Sequence, residues 1–448
     1  MHAIEFSGFD AMSTEHHERS PHPGRRLWRR SSLVTTLMYV GLTLLMLVWG
    51  LQENLEVFTP ESCELRSVNA SSGWLMTHLY PRVLRHTGAG ESDRVAVVAL
   101  ESSLGYLQQN VCSARSFTAD LLQAIATQKP AVIAVDKYYG GNSCPPGDPN
   151  TEKLRTTVAA LPMPVVVGQS THAAEGGGDA CLVLNRQLDL GANAHPGLLR
   201  LNSDVLRMPL TWPVLAQDGD KEPVKGASNE SFALVAASLA DPSLAKSDGV
   251  QRMLESPQQP YTNVLGTMAT TSASDLMCAT NPVAAATWSI DCAGAKPPGD
   301  LRGRVVVVGA ESDTDLQPVL NRDIYGFDLH ARYIAALLSH SYMRQISPWF
   351  MILLLVLYYG LTELVIPYLH IHHKPPFGLR IRHWTLLWLV GAWVLVVIAG
   401  MGIPLLMCRF PPLPLLIGIS FILIPRLLIE AWELVNEHSE EQRREHAA

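Results

Sequence analysis

The chain has 448 residues, more than a typical single domain, and with 48% hydrophobic and only 17% charged residues it is too apolar for a wholly soluble protein. A net charge of −7 and a pI near 6.1 leave no basic face for nucleic acid. There is no Walker A loop, G-x-S-x-G elbow, HExxH pair, Rossmann fingerprint or Cys/His zinc spacing, so no catalytic, metal or cofactor signature is present and none of these is expected.

Residues 1–32 are polar and aperiodic, predicting a disordered leader whose Arg25, Arg26, Arg29 and Arg30 suit an anionic lipid surface. Residues 33–51 carry no charge and are long enough to cross a bilayer. The basic leader is long and no small-x-small site follows, which favours an uncleaved anchor over a signal peptide. Three further spans are expected at 348–369, 384–403 and 413–428, with Trp349, Trp384 and Trp388 near their ends, where aromatic belts form. Lys374, Arg380 and Arg382 lie in the loop 370–383, so the positive-inside rule puts that loop, the leader and the tail 429–448 in the cytoplasm. Residues 52–347 and the short loop 404–412 are then exported. His370, His372 and His373 beside the membrane read as an interfacial loop rather than a metal site.

Six of the seven cysteines (Cys63, Cys112, Cys144, Cys181, Cys278, Cys292) fall in the exported region, and an even number fits disulfides in an oxidising compartment. Fifteen connectivities are open. Cys278 and Cys292 are close in sequence, and Cys112 and Cys144 both follow strand ends on one rim, so these four are candidates for pairing.

The exported region is organised around residues 94–141. An apolar run Val95 to Leu100 meets Glu101, Ser102 and Ser103, an amphipathic helix follows through Phe117, Leu121, Leu122 and Ile125, and a second run from Ala131 to Val135 stops at Asp136. This predicts a βαβ unit with buried parallel strands. Pro164 to Gly168 and Arg304 to Gly309, the latter running into Glu311, Ser312 and Asp313, repeat the pattern and make four strands of one sheet. Helices are expected at 74–84, 151–161 and 231–239, a loop at 140–149, and an exposed glycine-rich loop at 171–179. Asn202, Ser203 and Asp204 are expected to turn one short strand back on another within 198–210, and residues 241–298 are too interrupted to assign.

The fold class is therefore an exported α/β domain with a mainly parallel sheet, joined to a four-span helical membrane part. Ligands of such sheets sit outside the carboxyl ends of the strands. Glu101, Ser102, Asp136, Glu311 and Asp313 are the candidate ligand-binding residues, although acids at those positions also serve as helix caps and turn formers. His330, within GFDLHARYIAALL, reads as a packed or capping histidine rather than a catalyst. Glu363 and Arg426 each lie 15 residues along an inward-running span, at a matched depth of roughly 22 Å, and are a candidate transmembrane ion pair. Separate snorkelling to the cytoplasmic face is the alternative.

The order of these features (one span, a strand ending in an acid and Ser, a strand ending in Asp, PVVVG, VLRMPL, an Ala-rich helix, RVVVVGAESD and GFDLHARYIAALL, then three spans) resembles the type 2 CHASE extracellular sensory domain. The resemblance implies a bacterial inner-membrane sensor, not an enzyme, with its large domain in the periplasm. Members usually carry a cytoplasmic output module after the last span, whereas only 429–448 follow here. Signalling to a separate partner protein is thus expected, with homo-oligomerisation left open. A structural membrane subunit whose exported domain recruits proteins is the second reading, and an extracytoplasmic enzyme the third.

Overall fold

The computed structural model describes residues 93–102, 104, 110–173, 182–202, 205–217, 220, 229–247, 250–251, 254, 260–262, 264, 267–319, 322–343, 348–361 and 381–406, together with 41, 56–58, 65–67, 416 and 420. The anchor apart from Gly41, the expected helix 74–84, and Glu363, Arg426, Cys63 and Cys181 lie outside them. All labelled elements belong to the unit Trp49–Ala448.

Six strands form one parallel sheet: β1 (Val95–Leu100), β2 (Val132–Tyr138), β3 (Val165–Gln169), β4 (Ala194–Leu198), β5 (Thr270–Ser272) and β6 (Val305–Ala310), in the order β5-β1-β6-β2-β3-β4. The four expected strands are its centre. The two outer strands, AHPGL and TTS, are short and lack an apolar β-branched run, and β5 lies in the stretch the sequence left unassigned. The sequence ends β2 at Asp136. In the structure β2 continues to Tyr138, with its pairing to β3 shifting between Val135 and Tyr138, so Asp136 lies within the strand.

Helices cover both faces, which is why the central strands are almost uninterrupted Val, Ala and Ile. On one face Val95, Val97, Ala99, Val132, Ala134, Val305 and Val307 pack with α3 (Phe232–Ala240) and α6 (Gly326–Leu338). On the other, Ala96, Val98, Leu100, Ile133, Val135, Val306 and Val308 pack with α1 (Val111–Ala126), α2 (Pro149–Ala160) and α4 (Ala273–Thr280), the last followed by the short α5 (Pro282–Thr287). Each buried valine contributes on the order of 1.5–3 kcal/mol.

The helix starts follow from local chemistry. Asn110, Asp148, Ser231, Ser272 and Asn281 each accept a first-turn N–H, with Pro149 and Pro282 directly behind the caps of α2 and α5. Two expectations change. Residues 171–173 are a strand paired antiparallel with 182–184, while 174–181 lie outside the described residues. Ser203 and Asp204 also lie outside, but the segment beyond them is no returning strand: Met208 N–H donates to Pro260 O and Thr262 N–H to Leu206 O.

After α6 come α7 (Pro348–Gly360) and α8 (Ile381–Leu406). Among the described residues one helix, α8, is long and apolar enough to cross a membrane, with a mean hydropathy of 2.1 over Leu387–Pro404. Its Leu389, Ala392 and Val396 are buried while Leu387, Leu395 and Ile398 are exposed. Gly400 sits where an added Cβ would come within 2.6 Å of Leu416, and Trp393 Nε1–H donates to Ser420 Oγ at 2.9 Å.

Candidate functional site

The strand order creates a crevice. The helices that follow β1 and β2 lie on one face, whereas α6, which follows β6 between them, lies on the other. Chain directions therefore diverge on both sides of β6 at the carboxyl end of the sheet, the position at which open α/β sheets take their ligands. Glu101 directly follows β1, Glu311 directly follows β6, and Asp136 lies near the end of β2. The ladder holds these ends level, with Ala310 opposite Leu100 and Glu311 N–H donating to Leu100 O at 2.9 Å.

The acids reach one rim, but their partners divide between two helices. Glu101 accepts from the hydroxyls of Ser272, the cap of α4, and Ser274, the latter at 3.3 Å. It braces β1 against the start of α4. Asp136 shares a face with Val132 and Ala134, the face covered by α6, and its neighbouring charge is Asp315. Its outer edge keeps some solvent access. Even so, the protein around it, and secondarily the Asp315 carboxylate, push its pKa up to about 8. Glu311 is partly buried between the two groups. Ser102 is exposed in the turn after β1, and Asp313 is exposed at the start of the 3-10 turn 313–315.

Asp315 is the rim residue that the sequence did not single out. Its Oδ2 accepts the Gly326 N–H at 3.0 Å, and burial raises its pKa. A signal was available: α6 opens with Tyr325-Gly326-Phe327, and Tyr325 offers no side-chain cap, so an acceptor had to come from elsewhere. Ser272 and Ser274 were hidden in the unassigned stretch.

Beside the crevice, the loop after β2 is tied down in three ways. Cys112 in the first turn of α1 is joined to Cys144. The buried Arg115 donates to Gly140 O at 2.8 Å and to Thr151 Oγ1 at 2.6 Å. Gly141 N–H donates to Arg186 O. The second disulfide, Cys278–Cys292, closes the segment around α5. Both expected pairings are present. Cys112, Cys144 and Asp148 lie close enough to hold a metal, but the two sulfurs are bonded to each other, which leaves a single donor.

His330 is 1% exposed, packed against Phe232 with ring centroids 5.1 Å apart, and its Nε2 lies 3.2 Å from Leu199 O. Burial lowers its pKa to about 4, so it is neutral and Nε2–H donates. This is a packing role.

A family description, the CHASE2 domain, matches residues 41–365. No curated protein and no solved structure matches the chain.

Proposed function

The chain belongs to the CHASE2 domain family of extracellular sensory domains, and from that premise we propose that it is a bacterial inner-membrane sensor whose periplasmic α/β domain detects a ligand or envelope condition and signals through its membrane helices to a separate protein. The role is detection rather than catalysis. The ligand seat is the crevice beside β6, with Glu101, Ser102, Asp136, Glu311 and Asp313 around it.

The observation that carries this reading is that the helix starting at the crevice is followed in the chain by α7 and α8, which we take as membrane helices. Helix α6 starts on the rim at Gly326, capped by Asp315, crosses the sheet to Leu338, and is followed after residues 339–347 by α7. A change at the rim thus acts on the element that leads directly to the membrane segment. A ligand that binds two positions of α6 unequally would shift the bundle by that difference in affinity.

The test is a thermal-shift screen of the full chain in lipid nanodiscs against amino acids, monosaccharides and divalent cations. A saturable rise in melting temperature that Asp136→Asn abolishes, in a variant that still folds, supports the crevice as a sensor site. A flat screen, together with one protein retained stoichiometrically under all conditions, would establish the structural-subunit reading instead.

A further inference from the structure

Two carboxylates flank one turn of one helix. Asp315 accepts the N–H of Gly326 and is also bonded by the amide of Phe327, which satisfies the start of a helix that has no cap of its own. On the sheet side Phe327 lies directly on Gly309, so closely that a Cβ there would meet it. Val308 and Val135 are the last pair of the β6–β2 ladder, and Gly309 and Asp136 are the next residues of the two strands, so Asp136 lies near that same first turn.

We propose that Asp136 and Asp315 form a proton-operated latch on α6: with a proton on Asp136 the first turn of the helix stays seated on β2 and β6, and loss of that proton sets two like charges against each other and lifts the Asp315 turn, with the helix start, from the sheet. The proposal deepens the sensor reading and rests on it for its consequence, since α6 is the helix that leads to the membrane.

The charge that acts on Asp136 is that of Asp315, which has the same sign. On β2, Lys137 alternates to the opposite face, where Arg115 lies. At the end of β6 and in the turn, Glu311 and Asp313 add negative charge, and in the strand 322–325 Asp323 is exposed. On α6 Asp328 is held by Arg332 at 2.7 Å, and His330 is neutral and bound to Leu199 O. Helix α3, packed on α6, carries no ionisable side chain, and the Asp241 that follows it is bound to Arg94. On β1, Glu101 is bound to Ser272 and Ser274. Burial, with Asp315 adding to it, raises the Asp136 pKa to about 8, and burial raises that of Asp315 as well, so the two carboxyls are coupled and Asp136 changes its charge in the range a periplasm meets.

The experiment uses the full chain in nanodiscs without partner or ligand. Infrared spectroscopy with labelled aspartate reads the protonated carboxyl, and hydrogen exchange reads the first turn of α6. Wild type should lose a protonated-carboxyl band with a midpoint near pH 8 and, across the same interval, exchange at Gly326 to Asp328 several-fold faster than intrinsic chemistry accounts for. Asp136→Asn should lack both transitions. Asp315→Asn keeps an acceptor for Gly326 while removing the opposing charge, and should move the midpoint to lower pH. Absence of the band at neutral pH, or an α6 profile identical in Asp136→Asn, overturns the latch. If both transitions are present while the thermal-shift screen is flat, the latch stands and the small-molecule reading fails.

Discussion

Replacing Gly309 with alanine tests how α6 is seated. The new Cβ would fall on the Cβ and Cγ of Phe327 and 2.6 Å from its Cδ1, where carbon atoms normally keep about 3.5–4.0 Å. The Cβ of Phe327 is fixed to the helix backbone and cannot rotate away, so α6 itself has to move by roughly 1 Å or more. Gly168 is the internal control. The nearest atoms to a Cβ there all belong to the side chain of Leu199, with Cγ at 2.7 Å, and a rotamer change can relieve it. Overpacking of this kind costs about 1–3 kcal/mol, so Gly309→Ala belongs at the top of that range and Gly168→Ala at the bottom. At roughly 2–4 °C per kcal/mol, Gly309→Ala should lower the melting temperature of the full chain by roughly 6–12 °C, followed by tryptophan fluorescence in nanodiscs. Phe327→Ala should not rescue it, because the clashing Cβ remains, whereas Phe327→Gly should recover part of the loss. Equal melting temperatures for Gly309→Ala and Gly168→Ala would refute the close seating of α6 on β6.

The remaining predictions concern pH, disulfides, topology and the membrane. His330, with its pKa lowered to about 4 from 6.5, gives stability that is lost as pH falls through 6.5 toward 4, whereas Asp136, raised from 3.8 to about 8, gives stability that is lost as pH rises across that interval. The opposed slopes, about 1.4 kcal/mol per pH unit each, largely cancel below 6.5, so denaturant melts should show the fall between pH 6.5 and 8, and Asp136→Asn should remove it. Cys112→Ser opens a link of sequence separation 32 and Cys278→Ser one of 14, so the losses should be about 4 and about 3 kcal/mol; a larger loss from the shorter link would contradict the chain-entropy account. Topology reporters should be active outside when fused at Asp220 and inside when fused after Ala448, and an active cytoplasmic reporter at Asp220 removes the exported-domain scheme. If Glu363 and Arg426 pair, Glu363→Arg and Arg426→Glu should each destabilise and the double exchange restore much of the loss, whereas strictly additive effects mean the two snorkel separately.

What the sequence determined by itself lies where one residue pattern has one physical solution. Runs such as VAVVAL and VVVV can only be strands buried on both faces, so the parallel centre of the sheet was legible, as was the helix GFDLHARYIAALL from its spacing of Phe327, Leu329, Tyr333, Ile334 and Leu337. The disulfide candidates were legible because Cys278 and Cys292 are close in sequence and Cys112 and Cys144 both follow strands that end on one rim of the sheet. The tertiary structure alone decided the rest. AHPGL and TTS are too short and too weakly apolar to read as strands on their own and become β4 and β5 because the edges of a central sheet offer unpaired N–H and C=O groups. The rim acids could be placed on strand ends from sequence, but not given partners. Glu101 turns to Ser272 and Ser274, remote in the chain, and Asp136 meets Asp315, because the strand order sets β1 beside β5 and places α6 over β6 and β2. Strand order is a long-range property, set by which helices can cover which face, and no local pattern of residues carries it.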